Sequence, residues 1–215
     1  MKKIIAPIVL ILIIVIIYNV LYRYNIIPHK KYTNEHFKIE TYKSSIDKDD
    51  DGIDDQTDIL ENARKYIATK PKYKSKYYSN GYPDDEYGVC VDIPIQGLKG
   101  SGYDLMELVD EHIRNNKELY NIDKIDKNID FRRVRNLLIY FENTAIKLTT
   151  DIKKIEEWQG GDIVIFKDHI GVISNYRNKH GIPFVIHHNK QSEKHNYEED
   201  ILEYRNDILG HFRIS

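Results

Sequence analysis

Cysteine is nearly absent from this chain: Cys90 is the only one in 215 residues. A single thiol closes no internal disulfide, so the fold has to be held by its core. A surplus of charge is missing too. The 32 basic and 34 acidic side chains leave a formal net charge of −2, which offers no basic excess to draw nucleic acid. No internal repeat is present. What the chain does have is 41% hydrophobic and 31% charged residues, a balance that excludes wholesale disorder and suits one domain with a sizeable core.

Long apolar runs are absent except at the start. "MKKIIAPIVLILIIVIIYNVLY" places two lysines before an uninterrupted apolar stretch from Ile4 to Tyr22. About 19 residues at ~1.5 Å each span ~28 Å, close to the ~30 Å hydrocarbon thickness of a bilayer. Asn19 is its one strongly polar residue, and Tyr18 and Tyr22 stand where interfacial aromatics belong. No small-residue cleavage site follows, and no cysteine for a lipid anchor, so residues 1–22 read as an uncleaved signal anchor with a cleaved signal peptide as the competitor. Lys2 and Lys3 put the N-terminus in the cytoplasm, making the protein single-pass in the cell membrane with its domain outside. Residues 23–46, polar and without period, read as a juxtamembrane linker.

Next comes "DKDDDGIDDQTD", residues 47–58, with seven aspartates and one lysine. Asp47, Asp49 and Asp51 take the first, third and fifth positions, Gly52 the sixth, Ile53 the seventh and Asp58 the twelfth. That is the ligand ladder of an EF-hand-type Ca²⁺ loop, in which Ile53 contributes its carbonyl. The hydrophobic residue falls one position early, the twelfth residue is aspartate rather than glutamate, and no second loop pairs with it. A structural Ca²⁺ is expected, pinning the linker and first helix to the domain; a solvated acidic linker is the alternative.

Residues 59–215 read as one domain. "ILENARKYIATKP" is a helix stopped by Pro71. "YDLMELVDEHI" is a second helix, opened by Asp104 and Glu107 at capping-box spacing, and "RRVRNLLIYFENTAI" is a third. After Trp158 come short β-rich runs, "DIVIF", "HIGVISNY", "PFVIHH" and "GHFRI", with a short helix expected in "YEEDILEYRN". Helices first and a strand meander afterwards give α+β.

The stretch "YGVCVD" raises the question of chemistry. A lone cysteine is either core or catalyst. Gly88 permits a tight turn, and a helix over "VDIPIQGL" would set the thiol near the positive end of a dipole, although Pro94 fits only in a first turn. At an ordinary pKa of ~8.5 only about 3% is thiolate at neutral pH, so a partner base is needed. His169 opens a strand, and His187 on the next strand can meet it across an antiparallel pair. His188 takes that place if the register shifts by one.

Taken in order, "YGVCVD", "NIDFRRVRNL", Trp158 with "GGDIVIF", "HIGVIS", "VIHH" and "GHFRI" resemble the family called domain of unknown function 1287, which belongs with the NlpC-like, papain-related cysteine peptidases and amidases. The resemblance runs from roughly Asp47 to Ser215. It implies a nucleophile helix packed on an antiparallel sheet, with Cys90 as nucleophile, His169 as base and His187 as the orienting third residue. Where family members often carry His-Arg-Arg and then Val-Pro, this chain has Phe131 and Arg135 around Arg132 and Arg133. Those two arginines are candidate binders of a substrate carboxylate, or exposed helix arginines.

The reading expected from all this is a membrane-anchored extracytoplasmic thiol hydrolase that cleaves an amide bond, with cell-wall peptides as the substrate class. Two alternatives stand beside it. One is a non-catalytic, calcium-stabilised binding module of the same fold. The other is a zinc hydrolase using Cys90, His169 and His187 or His188, a set with no recognised zinc spacing.

Overall fold

The computed structural model describes residues 2–190 and 197–214, with side chains from Pro7 onward. α1 (Lys2–Arg23) is a 22-residue helix, and its large apolar side chains from Ile8 to Ile17 are 47–60% exposed. Among the described residues no helix is long and apolar enough to cross a membrane. The segment expected to span is therefore seen as a helix but not as a membrane span.

The segment read as a juxtamembrane linker carries ordered structure. β1 (Tyr32–Thr33) pairs antiparallel with β6 (His169–Arg177). His29 is buried, bonded to Asp200 at 2.8 Å and to the Tyr22 carbonyl at 2.6 Å. Polar residues without periodicity were legible as irregular chain, but nothing local shows that such a chain adds a strand to a distant sheet edge.

α2 (Asp55–Ala68) begins inside the acidic segment. Asp54 caps it, its side chain accepting the Thr57 N–H at 3.2 Å, so the expected boundary at residue 59 falls four residues late. After β2 (Lys72–Tyr73) and β3 (Tyr87–Gly88) come α3 (Asp92–Gly100) and α4 (Leu105–Asn115). Asp104 caps α4 by accepting the N–H groups of Met106 and Glu107, as its spacing predicts. α5 (Lys127–Asp130) and α6 (Val134–Thr144) complete the helices, and Arg132 and Arg133 lie in the turn between them rather than on the third helix.

The rest is sheet. β4 (Ile146–Lys147), β5 (Ile163–Phe166), β6, β7 (Pro183–Ile186), β8 (Glu198–Glu199) and β9 (Ile208–Arg213) run in the order β4-β9-β5-β6-β7-β8, all pairs antiparallel. Strand alternation sends Ile163, Ile165, Ile170, Val172 and Ile186 into a core shared with α2, α3, α4 and α6. Val164, Phe166, Ile173 and Val185 point the other way, into a smaller core around Trp158 and Leu202. The α+β expectation holds: helices cover one face of an antiparallel sheet. α3 lies against both α2 and β6, and its approach to α2 is close because Gly97 has no side chain. A Cβ there would sit 3.0 Å from the Ile59 carbonyl oxygen.

Candidate functional site

Cys90 stands two residues before α3, whose capping residue is Val91. Pro94 is the third helical residue, where its missing N–H would have had no helical partner, so it does not disturb the helix. Asp92 holds the loop in front of the cysteine by accepting the Val89 N–H at 2.7 Å. Its two oxygens are in turn gripped by Arg132 Nε at 2.9 Å and Nη2 at 2.8 Å, and Arg132 Nη1 donates to the Lys76 carbonyl at 3.0 Å. Arg132 is thus a buried brace beneath the cysteine loop. Arg133 sits 3.7 Å from Asp130, partly exposed.

Cys90 is 7% exposed. Burial pushes its pKa up to about 11, with the Ile170 main-chain N–H pulling the other way. The Tyr73 phenol stands close by; burial, and then the charges of Cys90 and Asp92, raise its pKa.

Ile170 follows His169, and His169 is placed by the β5–β6 hairpin. Phe166 pairs with His169 across a turn made by Lys167 and Asp168. His169 Nε2 lies 3.0 Å from His187 Nδ1, with the rings nearly perpendicular. The β6–β7 register pairs Val172 with Ile186, which carries Gly171 opposite His187 and leaves the two histidines as diagonal neighbours on one face. A side chain at Gly171 would block this, since its Cβ would meet the Ile186 carbonyl oxygen at 2.7 Å and His187 Cβ at 3.3 Å. The same register brings His187, and not His188, to His169. His188 leaves on the other face, edge-on to Tyr73 at 5.2 Å between ring centres.

Beyond His187 the structure adds a residue that the sequence reading missed. Glu199 on β8 lies 2.9 Å from His187 Nε2, both groups buried. "YEEDILEYRN" reads as an amphipathic helix in isolation, yet Glu198 and Glu199 pair with β7, and the short helical turn follows at Leu202–Tyr204. Alternation was the available signal: the two adjacent glutamates point to opposite faces, Glu198 to Ser174 and Arg64, Glu199 to His187.

The relay decides where the protons sit. A glutamate carboxylate only accepts, so His187 Nε2 carries hydrogen and His187 Nδ1 is left with its lone pair. That lone pair takes the hydrogen of His169 Nε2, and the lone pair of His169 is thereby held on Nδ1. Burial, with the neighbouring His187 and Arg205 adding to it, pushes the His169 pKa down to about 3. Burial does the same to His187, also down to about 3. Both rings are neutral at physiological pH.

The thiol and the imidazole meet at the first two residues of β6 from different sides. Cys90 packs in the helix-side core with Ile170, whereas His169 leaves on the opposite face beside Phe166, 6.2 Å between ring centres. The Ile170 main-chain N–H is the polar group that acts most on the sulfur, while the His169 ring bonds to His187. The two histidines and Glu199 line a cleft of about 540 Å³, bounded by Asp168, Arg205 and, from the chain just after α1, Tyr24 and Asn25.

The zinc set is not assembled. Among the described residues the one group of His, Cys, Asp or Glu whose ligand atoms lie within 4.8 Å of one another is Asp47, Asp49 and Asp51. Ile53 follows that trio, its N–H donating to Asp51 Oδ1 at 2.8 Å. Asp58 lies outside it, in the first turn of α2.

Comparison with known proteins gives two findings. The family described as Domain of unknown function (DUF1287) matches residues 60–214. The uncharacterized protein YijF of Escherichia coli (strain K12) is 33% identical over 168 residues, covering 72% of this chain and 80% of that one. No solved structure matches.

Proposed function

This chain belongs to the DUF1287 family, and we propose that it is a thiol hydrolase that cleaves an amide bond by acyl transfer, anchored by α1 and acting on cell-wall peptides outside the cytoplasmic membrane. The observation that carries the reading is the relay from Glu199 through His187 to His169, which keeps a lone pair on His169 Nδ1 one residue from Ile170, beside which Cys90 packs. The row of exposed isoleucines, leucines and valines on α1 supports the anchor.

In the reaction, His169 Nδ1 takes the thiol proton as the Cys90 sulfur attacks the scissile carbonyl carbon. The imidazolium is stabilised through His187 by Glu199, and main-chain N–H groups at the start of α3 face the developing oxyanion. The tetrahedral intermediate collapses as His169 returns that proton to the leaving nitrogen, releasing an amine and leaving a thioester on Cys90. A water molecule then gives its proton to His169 and attacks the thioester; the carboxylic acid leaves and the proton returns to sulfur. Because thiol and ring stand on opposite faces of the strand at rest, the transfer requires the sulfur to be brought to His169 while the His169–His187 bond is kept.

The test is hydrolysis of purified peptidoglycan and synthetic stem peptides, followed by mass spectrometry of the released fragments. Cys90→Ala and His169→Ala should each lower turnover at least ~1,000-fold with the fold intact. Unchanged cleavage in Cys90→Ala rejects the assignment. A second reading, a binding module without turnover, is favoured by the 7% exposure and raised pKa of the sulfur. It predicts saturable binding of the same peptides with no cleavage in the wild type.

A further inference from the structure

Glu199 closes the relay from a strand of two residues, too short for its ladder bonds to β7 to fix a side chain by themselves. Its neighbours on either side are held from elsewhere. Glu198 takes Arg64 Nη2 at 2.7 Å and the Ser174 hydroxyl at 2.5 Å on one oxygen, and Lys31 Nζ at 2.6 Å on the other. Asp200, 1% exposed, donates its main-chain N–H to Asn25 Oδ1 at 3.2 Å. One Asp200 carboxylate oxygen lies 2.8 Å from His29 Nδ1, and the other accepts the Asn178 amide at 3.1 Å.

Asn25, His29 and Lys31 all belong to the chain that follows α1. The helix ends as the Ile26 N–H reaches back to the Leu21 carbonyl at 3.0 Å and the Asn25 N–H to the Tyr22 carbonyl at 2.9 Å. That closure puts Asn25 in the left-handed region, at φ 54°, which asparagine tolerates better than most side chains. His29 then locks the corner. Its Nε2 donates to the Tyr22 carbonyl at 2.6 Å, and its ring stacks on the Tyr22 ring, 3.7 Å between centres. Lys31 leads into β1, whose pairing with β6 fixes the far end. The segment therefore grips the residue before Glu199 and the residue after it, and it lays Tyr24 and Asn25 along the cleft that the two histidines line. All of it precedes the family-matched residues 60–214.

We propose that Asn25, His29 and Lys31 are positioning residues of the relay, acting through Glu198 and Asp200 to aim the Glu199 carboxylate at His187. That extension of the site, to a segment before the family-matched domain, rests on the hydrolase reading only for its turnover. Loosening either neighbour lets a two-residue strand shift. A carboxylate that leaves His187 Nε2 frees that ring, and His169 after it, to exchange tautomers.

The full chain tests this with Asn25→Gly, which keeps the positive φ and loses only the side-chain bond, with His29→Gln and with Lys31→Met. Nitrogen chemical shifts of His169 and His187 should show one tautomer each in the wild type and mixtures in Asn25→Gly and His29→Gln, with thermal melting showing the variants folded. On synthetic stem peptides, kcat should fall about 3- to 30-fold with KM little changed. In a Glu199→Ala background the same substitutions should cost less than about twofold, because no carboxylate is left to aim. Wild-type spectra in both Asn25→Gly and His29→Gln overturn the proposal. So does a loss that multiplies in full onto Glu199→Ala. The spectra need no turnover: if the wild type cleaves no peptide the hydrolase reading falls, and the spectra still decide whether this segment positions Glu199.

Discussion

The ionisation of Cys90 separates two kinds of thiol chemistry. In one, sulfur and imidazole rest as a preformed thiolate–imidazolium pair. In the other, both rest neutral and the proton moves only as the bond forms. On the proposed hydrolase reading this protein falls in the second class: burial raises the thiol from an ordinary 9.0 to about 11 and lowers His169 from 6.5 to about 3. At pH 7.5 the thiolate fraction falls from roughly 3% to roughly 0.03%, about 100-fold. Alkylation by iodoacetamide should therefore run at least ~100-fold slower than for free cysteine, with the 7% exposure slowing it further. The rate should climb about tenfold per pH unit between pH 6 and 9.5. His169→Ala should leave that profile in place while abolishing turnover, because the resting ring is bonded to His187 on the face opposite the sulfur. A rate that is fast and flat across neutral pH, and that collapses in His169→Ala, would refute the neutral-pair argument.

Other outcomes follow from the same contacts. His169 binds fewer protons folded than unfolded between about pH 3 and 6.5, so its contribution to stability is present above pH 6.5 and is lost as the pH falls toward 3. That contribution reaches about 5 kcal/mol, and urea unfolding at pH 7 and pH 4 should show a smaller difference for His169→Gln than for the wild type. Arg132→Ala strands the buried Asp92 carboxylate and should cost about 3–5 kcal/mol in unfolding free energy; a raised KM with unchanged stability would return Arg132 to a substrate-binding role. Glu199→Ala removes the acceptor that orients His187, so kcat should drop about 10- to 1,000-fold with KM little changed. The nitrogen chemical shifts of His169 should report mixed tautomers in that variant, which a merely structural role would not produce. Gly171→Ala places a methyl against the Ile186 carbonyl and His187, and should lower both melting temperature and turnover.

Much of this protein was legible along the chain because the signals were local. The cap at Asp104, the β-rich runs after Trp158 and the ladder of aspartates before α2 each rest on spacings within a few residues, and such spacings act before any tertiary contact forms. The pairing of His169 with His187 was legible too, because two strands joined by one turn have few registers. Glu199 was not, since a two-residue strand at a sheet edge carries no period of its own and β7 imposes its geometry. The roles of Arg132 and of the segment before residue 47 were also set from a distance, by a buried carboxylate that needed a partner and by a strand edge that needed pairing. Sequence alone thus determined which side chains were available for chemistry and where the longer helices and strands lie. Tertiary structure decided which of them meet, on which face of the sheet, and in which protonation state, because burial and hydrogen-bond direction exist only once the chain has closed on itself.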